Sequence, residues 1–330
     1  MARVQGGTTT DTSQHFAGID VSKAYLDLRL SRERRSHRFA NDPAGFAALA
    51  AHLGQAPHLI VLEPTGRYHH AVWTALAAAG HQVAPGNPLH VRRFAESEGE
   101  LSKTDALDAA VLARMAVERR PAAKAPPSEE QLRIKELSTS LADRIDRRAM
   151  LKAGRKEVRD PLIVELDEAE IILLSTAIDS LKAAIAGLIE ADPERARSAE
   201  ILASIPGIGV SSAHRIIADM PEIGTLTDKQ VGALLGAAPR ARESGKRRNR
   251  RRVKGGRRQL KAALHPGSGP GQALPAIAAA RANPDLKAFR QRLKAKGKPG
   301  AVIIIAVLRK LIVLANALVA QNRLWVPKTA

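Results

Sequence analysis

Four acidic residues in the first third of the chain have the types and positions expected of a metal centre. Asp20 ends an apolar run in Gly-Ile-Asp-Val-Ser-Lys, and Glu63 ends another in Val-Leu-Glu-Pro-Thr-Gly. Asp105 and Asp108 stand three residues apart at a predicted helix start, so both side chains leave the helix on one side. Carboxylate oxygens are preferred ligands of Mg²⁺, and two such ions can promote phosphoryl transfer. The set predicts a catalytic Mg²⁺ or Mn²⁺ site, although each acid alone also fits a solvated strand end or a helix start.

A strongly basic run lies between Arg240 and Lys261, with twelve Lys or Arg and one acid in 22 residues. Charge runs are often solvated tails, but this one lies inside the chain, which favours contact with a nucleic-acid backbone. Such contacts give affinity and salt sensitivity but little sequence choice. The predicted contacts are Arg240, Arg242, Lys246, Arg247, Arg248, Arg250, Arg251, Arg252, Lys254, Arg257 and Arg258.

One serine lies within this run. Ser244 occupies the polar segment Arg242-Glu-Ser-Gly-Lys after Pro239, where a loop serine or a cap is the ordinary interpretation. The surrounding cations would bring a phosphate to it and stabilise the charge that develops when an oxygen attacks phosphorus. Ser244 is therefore also a candidate nucleophile.

Composition limits the classes of function. The chain has 330 residues, a formal net charge of +19 and no cysteine, which excludes a disulfide scaffold, a thiolate zinc site and a cysteine nucleophile. It has only five Phe, two Tyr and two Trp, which argues against modules that stack bases on aromatic platforms. The excess of positive charge points to an acidic polymer as partner, with nucleic acid the leading candidate.

The N-terminal third predicts an α/β domain. Three short strands are followed by a helix, a strand, a helix and a strand, which is the element order of the ribonuclease H-like fold. In that fold the first and fourth strands are neighbours, so Asp20 and Glu63 would meet. The predicted elements are strands at His15–Val21, Tyr25–Leu30, Ser36–Ala40, Leu59–Glu63 and His81–Ala84 and helices at Asp42–Leu53 and Arg67–Ala79.

The rest of the chain predicts mainly helices. A Pro-rich break at Arg120–Pro127 precedes two helices that Pro161 separates. Apolar residues recur there at spacings of four and three, which indicates an antiparallel hairpin or coiled-coil linker whose apolar face needs a partner, such as a second subunit. The residues of this seam are Leu174, Ile178, Leu181, Ile185 and Leu188.

The segment Ile205-Pro-Gly-Ile-Gly209 separates two further helical patterns and resembles a helix-hairpin-helix turn. Gly207 and Gly209 would then offer backbone N–H groups to a phosphate, although such a turn also serves as a tight connection between helices. These boundaries predict domains at residues 1–120, 121–197 and 198–330.

Ordered motifs along nearly the whole chain resemble one family, the bacterial transposases of the DEDD type in insertion-sequence family one-hundred-ten, which are bridge-RNA-guided serine recombinases. Each segment alone is weakly specific, but the ordered set is specific. The segments are Gly18-Ile-Asp-Val-Ser-Lys23, Leu62-Glu-Pro-Thr-Gly66, Lys103-Thr-Asp-Ala-Leu-Asp-Ala109, Ile205-Pro-Gly-Ile-Gly209, the run from Gly236 to Lys261, Asn283-Pro-Asp-Leu-Lys287 and the segment from Arg309 to Asn316.

The resemblance implies a site in two parts. The family's N-terminal domain is similar to Holliday-junction resolvases, and its four acids fall on Asp20, Glu63, Asp105 and Asp108. Its C-terminal transposase domain carries a nucleophilic serine, which falls on Ser244. In the family the two parts meet between subunits of a dimer or tetramer, on donor and target DNA with a noncoding guide RNA.

Two alternatives stay open beside recombination: a structure-selective nuclease that uses only the carboxylates, and an inactive, decayed nucleic-acid-binding copy. The second is suggested by a departure from the family, since the segment His265–Pro275 has too much Pro and Gly to sustain the helix expected there. The most apolar stretch, Ala301–Ala320, contains Arg309 and Lys310 and predicts a buried or amphipathic helix. We therefore expect a cytoplasmic protein without a membrane span.

Overall fold

The computed structural model describes residues 15–99, 105–240, 243–244, 247–248, 252–253, 255–264 and 275–327. The chain divides between Pro127 and Ser128 into two compact units. The predicted helical linker therefore does not stand alone, because its two helices belong to the second unit.

The first unit is a five-stranded mixed sheet with helices on both faces, and it confirms the predicted α/β order. The strand order is β3-β2-β1-β4-β5; β1 pairs antiparallel with β2 and parallel with β4. The elements are β1 (His15–Val21), β2 (Tyr25–Leu30), β3 (His37–Ala40), α1 (Pro43–Leu53), β4 (His58–Leu62), α2 (His69–Ala78), β5 (Gln82–Pro85), α3 (Pro88–Ser97) and α4 (Asp105–Arg119).

Side chains along the central strands point alternately to the two faces of the sheet, so a hydrophobic core lies on each face. Ala17 and Ile19 of β1 face the core with α1 and α2, whereas Phe16 faces the core with α3 and α4. A strand that is covered on both faces consists almost entirely of apolar residues. Every residue of β4 is buried, and its sequence has this composition. In the core with α3 and α4, the apolar residues of β1 and β4 come before Asp20 and Glu63, whereas the other core continues to Val21 of β1.

The second unit is mainly helical and includes four short strands. Its first elements are α5 (Glu129–Gly154), a 3-10 turn (Arg155–Glu157), α6 (Pro161–Glu190), α7 (Pro193–Ser204), α8 (Val210–Asp219) and α9 (Asp228–Leu234). Then follow β6 (Pro239–Arg240), β7 (Glu243–Ser244), β8 (Arg247–Arg248), β9 (Arg252–Val253), α10 (Arg258–Leu264), α11 (Pro275–Ala282), α12 (Pro284–Ala295) and α13 (Gly300–Ala320).

The helices α5 and α6 form the predicted hairpin and share one core with the C-terminal helices. Of the predicted seam, Leu174, Ile178 and Ile185 are buried, while Leu181 and Leu188 are partly buried. This shared core is the physical reason why the hairpin and the C-terminal helices form one unit.

Two helices, α6 and α13, have the length and apolar composition of a membrane span. The prediction of a buried helix near the C-terminus is confirmed, because α13 contributes Ile303, Val307, Leu311 and Ile312 to the core of the second unit. Core helices of soluble proteins meet the same test of length and composition, so neither helix identifies a membrane protein.

Candidate active site and nucleic-acid interface

Asp20 and Glu63 emerge side by side from two neighbouring parallel strands. The last paired residues of β1 and β4 are Ile19 and Leu62, and the N–H of Glu63 donates a hydrogen bond to the carbonyl of Ile19 at 3.1 Å. Asp20 therefore stands next to Glu63 at the carboxyl edge of the sheet. Both acids are half-buried.

Helix α4 brings its first turn to this edge. Gly18 allows the close approach, because a Cβ there would collide with Ala109 O and Ala113 N of the helix. At the other end of the helix, the Arg120 guanidinium lies 5.3 Å from the ring centroid of Phe16, near the start of β1. The helix thus runs antiparallel to β1, and its first turn, which carries Asp105 and Asp108, lies towards Asp20.

The chemistry of this edge suits a divalent cation. Asp20, Glu63 and Asp108 are half-buried carboxylates, whose hard oxygens match the ligand preference of Mg²⁺ and Mn²⁺. Asp105 begins α4, but its side chain lies outside the described residues. The sheet and one helix thereby bring together the regions that carry all four acids predicted from the sequence.

A fifth acid, which we did not predict from the sequence, lies in the same row. Asp27 of β2 pairs directly with Asp20 in the antiparallel register and is 6% exposed. Both its oxygens accept hydrogen bonds from Arg38 of β3, each at 3.0 Å. The sequence does contain a signal for this acid, since Asp27 alternates with leucines in Tyr-Leu-Asp-Leu-Arg-Leu and therefore lies on the other face of the strand.

A separate group of possible metal ligands lies on the opposite face of the sheet. One ligand atom each of Glu33, His37 and His52 lies within 4.8 Å of the others, and the His37 Nε2 to Glu33 Oε2 distance is 2.7 Å. His37 precedes Arg38 in β3, and successive strand residues point to opposite faces. This group is therefore distinct from the carboxylate edge.

Buried histidines border the segment that follows Glu63. His69 begins α2, and burial together with the neighbouring charge of His70 lowers its pKa from 6.5 to about 4. Backbone hydrogen bonds to Thr65 and Gly66 act in the opposite direction but are weaker. A neutral His69 at physiological pH thus anchors the loop of the Glu-Pro-Thr-Gly motif.

The basic run contains strands, which corrects the prediction of a loop at Ser244. Pro239–Arg240 pairs with Arg252–Val253, and Glu243–Ser244 pairs with Arg247–Arg248, both antiparallel; we call these two strand pairs the basic ribbon. The predicted contacts Arg242, Lys246, Arg250, Arg251 and Lys254 lie outside the described residues.

Two glycine segments fix the base of this ribbon. Gly236 and Gly256 have φ values of +71° and +83°, and a Cβ on either would collide with the other segment's backbone. The N–H of Arg257 also donates to the carbonyl of Leu234 at 2.6 Å. The two ends of the ribbon therefore lie next to each other. This proximity allows its strands to pair, which the sequence pattern did not predict.

Arg257 differs from the other predicted nucleic-acid contacts. Its guanidinium donates to both carboxylate oxygens of Glu222, at 2.7 and 2.6 Å, and to the carbonyl of Asp219 at 2.7 Å. Asp219 itself is buried and pairs with Lys135 and Arg215. These contacts give Arg257 a structural role at the base of the ribbon.

Residues 205–209 connect α7 to α8, and the two glycines predicted to contact phosphate have different surroundings. Gly207 has φ +105° and is packed against the backbone of Ala279, whereas a Cβ on Gly209 would meet open space. Gly209 caps α8 and borders a cleft of about 750 Å³ that Arg148 and Lys182 also line. Of the two glycines, Gly209 therefore has the accessible position.

Comparison with known proteins identifies the family. Residues 17–157 match the DEDD domain model of IS110 transposases, and residues 199–291 match the model of the IS116/IS110/IS902 transposase family. The chain belongs to the IS110 family of transposases and is a DNA transposase or recombinase. The family uses divalent metal ions and DNA substrates.

Two relatives match almost end to end. The pilin gene-inverting proteins of Moraxella bovis and Moraxella lacunata are each 28% identical over 326 residues. The alignment covers 94% of this chain and 97% of each relative.

Proposed function

We propose that this chain cuts and rejoins DNA with a divalent-metal carboxylate centre in its first unit and Ser244 as the nucleophile in its second. The observation that carries the proposal is the juxtaposition of Asp20 and Glu63 at one sheet edge, with the first turn of α4 directed to the same edge. The sheet order and the α4 packing also support a ribonuclease H-like fold, similar to that of Holliday-junction resolvases.

Asp20, Glu63, Asp105 and Asp108 would hold one or two Mg²⁺ or Mn²⁺ ions. When bound, these ions would offset phosphate charge and lower the barrier to phosphoryl transfer. With cations bound, the carboxylates would hold these ions where they position the scissile phosphate. Without cations, the negative charge of the carboxylates would repel the phosphate.

Ser244 would attack the scissile phosphorus through its Oγ. The new serine–phosphate ester bond replaces one DNA ester bond, and the displaced DNA hydroxyl takes up the proton that the serine hydroxyl loses. A hydroxyl of another DNA strand then reverses these events and restores Ser244. Since the number of phosphate ester bonds stays constant, rejoining needs no high-energy cofactor.

The position of Ser244 in the ribbon supports this role. The strands of the ribbon contain Arg240, Arg247, Arg248 and Arg252, so a nucleophile in one of these strands would belong to a segment rich in phosphate-binding charge. We infer that a noncoding guide RNA supplies sequence choice, since backbone contacts supply little. The three sequence-defined parts would then serve as metal domain, subunit-pairing hairpin and serine domain of a cytoplasmic dimer or tetramer.

The relatives favour recombination over simple hydrolysis. Their names refer to gene inversion, and an inversion needs DNA ends to be cut and then rejoined. A nuclease that used only the carboxylates would leave cut ends, and a decayed copy would bind DNA without cutting it. Of the segment that suggests decay, His265–Pro275, residues 265–274 lie outside the described residues, and Pro275 begins α11.

The test is to incubate the full chain with Mg²⁺, a guide RNA from the DNA that flanks its gene, and end-labelled donor and target DNA. Denaturing electrophoresis then detects recombined strands and a protein–DNA adduct. We expect both products, each dependent on the metal. Metal-dependent cutting without an adduct would identify a nuclease, and binding without cutting would identify an inactive copy.

A further inference from the structure

Glu33, His37 and His52 come from three different elements and lie close together on the sheet face opposite to the carboxylate edge. Glu33 is in the turn between β2 and β3, His37 begins β3, and His52 is in the last turn of α1. One ligand atom of each residue lies within 4.8 Å of the other two. The fold thus brings together two imidazoles and one carboxylate that are separated in sequence.

The backbone around each of these residues is held by other contacts. The N–H of Glu33 donates to the carbonyl of Leu30 at 3.1 Å, and His37 belongs to the paired part of β3. Leu53, the neighbour of His52, is buried in the core between the sheet and α1. The three side chains themselves are exposed or half-buried, so small rotations of them do not disturb this core.

The ligand atoms of this group suit a different ion from that of the carboxylate edge. Two imidazole nitrogens and one carboxylate oxygen favour Zn²⁺, whereas Mg²⁺ prefers oxygen ligands alone. In a tetrahedral zinc site the ligand atoms lie about 3.3 Å apart, so the atoms here, all within 4.8 Å, would need to move by about 1.5 Å or less. Because the group is exposed, water can supply the fourth ligand.

A hydrogen bond accounts for only two of the three residues. The Nε2 atom of His37 and the Oε2 atom of Glu33 are 2.7 Å apart. Zn²⁺ between them would replace the hydrogen on Nε2, so that a lone pair of each atom faces the ion. His52 lies outside this bond, although its ring centroid is only 4.3 Å from that of His37. A ring nitrogen of His52 would supply the third ligand.

We propose that Glu33, His37 and His52 form a structural Zn²⁺ site, which joins the β2–β3 turn to the end of α1. The same turn contains three arginines, whose positive charge lowers the affinity for a cation: Arg32, Arg34 and Arg35. With three protein ligands in such surroundings, we expect a dissociation constant of roughly 1–10 µM. The site shares no ligand with the proposed catalytic centre and does not depend on it.

The test titrates the full chain with Zn²⁺ by isothermal calorimetry in excess Mg²⁺, and X-ray absorption spectroscopy identifies the ligands of the bound zinc. We expect a zinc ion with two histidine ligands that Mg²⁺ does not displace. Each of the variants Glu33→Gln, His37→Ala and His52→Ala should weaken Zn²⁺ binding at least about tenfold. His90→Ala is the matched control, because His90 is an exposed histidine on α3 of the same unit. It should bind Zn²⁺ normally.

His52 decides between a metal site and a simple hydrogen bond. If His52→Ala binds Zn²⁺ like the unmodified chain, Glu33 and His37 form only a hydrogen-bonded pair and the inference is wrong. It is also wrong if the unmodified chain binds no Zn²⁺, or if His90→Ala loses as much affinity as His52→Ala. As a second measurement, Zn²⁺ should raise the melting temperature of the unmodified chain but not that of His52→Ala.

A further variant separates this site from the proposed catalytic centre. Asp20→Asn should bind Zn²⁺ as the unmodified chain does, because Asp20 is not a ligand of this site. Loss of the bound zinc in Asp20→Asn would place the ion at the carboxylate edge and overturn the inference.

Discussion

The backbone N–H of Glu63 bonds to the carbonyl oxygen of Ile19, one residue before Asp20. This hydrogen bond continues the parallel ladder of β1 and β4 to the point at which their acids emerge. Two carboxylates at adjoining strand ends repel each other unless positive charge lies near them, and a divalent cation would supply such charge.

Replacement of either acid should therefore abolish DNA cutting but preserve DNA binding. We expect Asp20→Asn to abolish Mg²⁺-dependent DNA cutting and to leave DNA affinity nearly unchanged, because the basic ribbon lies in the other unit. Cleavage assays and fluorescence anisotropy measure the two properties. The control is Glu118→Gln, an exposed acid near the far end of α4. Normal cutting by the Asp20 variant would contradict the site.

Ser244→Ala should remove both strand exchange and the covalent protein–DNA adduct. We expect folding and complex assembly to stay intact, because the substitution removes only one hydroxyl group. Adduct formation is measured on denaturing gels, with the exposed Ser180→Ala on α6 as control. Recombination at a normal rate by the Ser244 variant would refute the serine mechanism.

Arginines of the ribbon and the arginine at its base should behave differently. Replacing Arg250, Arg251 and Arg252 with Gln should flatten the salt dependence of DNA binding, since each lost phosphate contact changes the slope of log K against log salt by about 0.9. Arg257→Gln should instead lower thermal stability, because it breaks the bidentate pair with Glu222. An unchanged slope for the triple variant would show that the run faces solvent.

The glycines of the α7–α8 connection offer a matched pair of alanine substitutions. Gly207→Ala should destabilise the second unit by about 2 kcal/mol or more, because φ is +105° and the new Cβ would meet Ala279. Gly209→Ala has φ −84° and open space, so its stability should hardly change. If Gly209 N–H contacts phosphate, only this second variant should weaken DNA binding while the protein stays folded. Equal melting temperatures for both variants would contradict the packing at Gly207.

The first unit should lose stability on acidification. The folded pKa of His69 is about 4, whereas its ordinary value is 6.5, so the unfolded chain binds more protons between these values. The contribution of His69, at most about 3 kcal/mol, is complete above pH 6.5 and is lost as the pH falls towards 4. Burial also lowers the pKa of His58 and His81, which adds to the effect.

Trp73 gives a local measurement of this loss, because its ring lies 6.3 Å from that of His69. In a Trp325→Phe background, urea unfolding followed by Trp73 fluorescence should give a lower free energy at pH 5 than at pH 7. His69→Phe should reduce that difference. A difference that stays the same in the His69 variant would mean that other groups cause the pH dependence.

Local patterns were sufficient to predict the sheet that holds the carboxylates. The bounds of β1 and β2 agree with the prediction, since alternation and short gaps define both strands. The element order then predicted that β1 and β4 are neighbours, and therefore that Asp20 and Glu63 lie close together. These features depend on near neighbours in sequence or on a common topology.

Contacts between distant segments could not be predicted in the same way. The pairing of Asp27 with Arg38 depends on the register between β2 and β3, and that of Arg257 with Glu222 depends on the packing of the second unit. The four short strands of the ribbon contain one β-branched residue, Val253, and the close contact of Gly236 with Gly256 at their base is not visible in the sequence pattern. Sequence periodicity carries none of this information.

The contact between Gly236 and Gly256 brings the two ends of the ribbon together. This contact offsets the entropy that is lost when the intervening loop closes, and that loss increases only slowly with loop length. We therefore expect a ribbon of another length to leave the helical core intact. Nucleic-acid preference could then change through this one segment of chain.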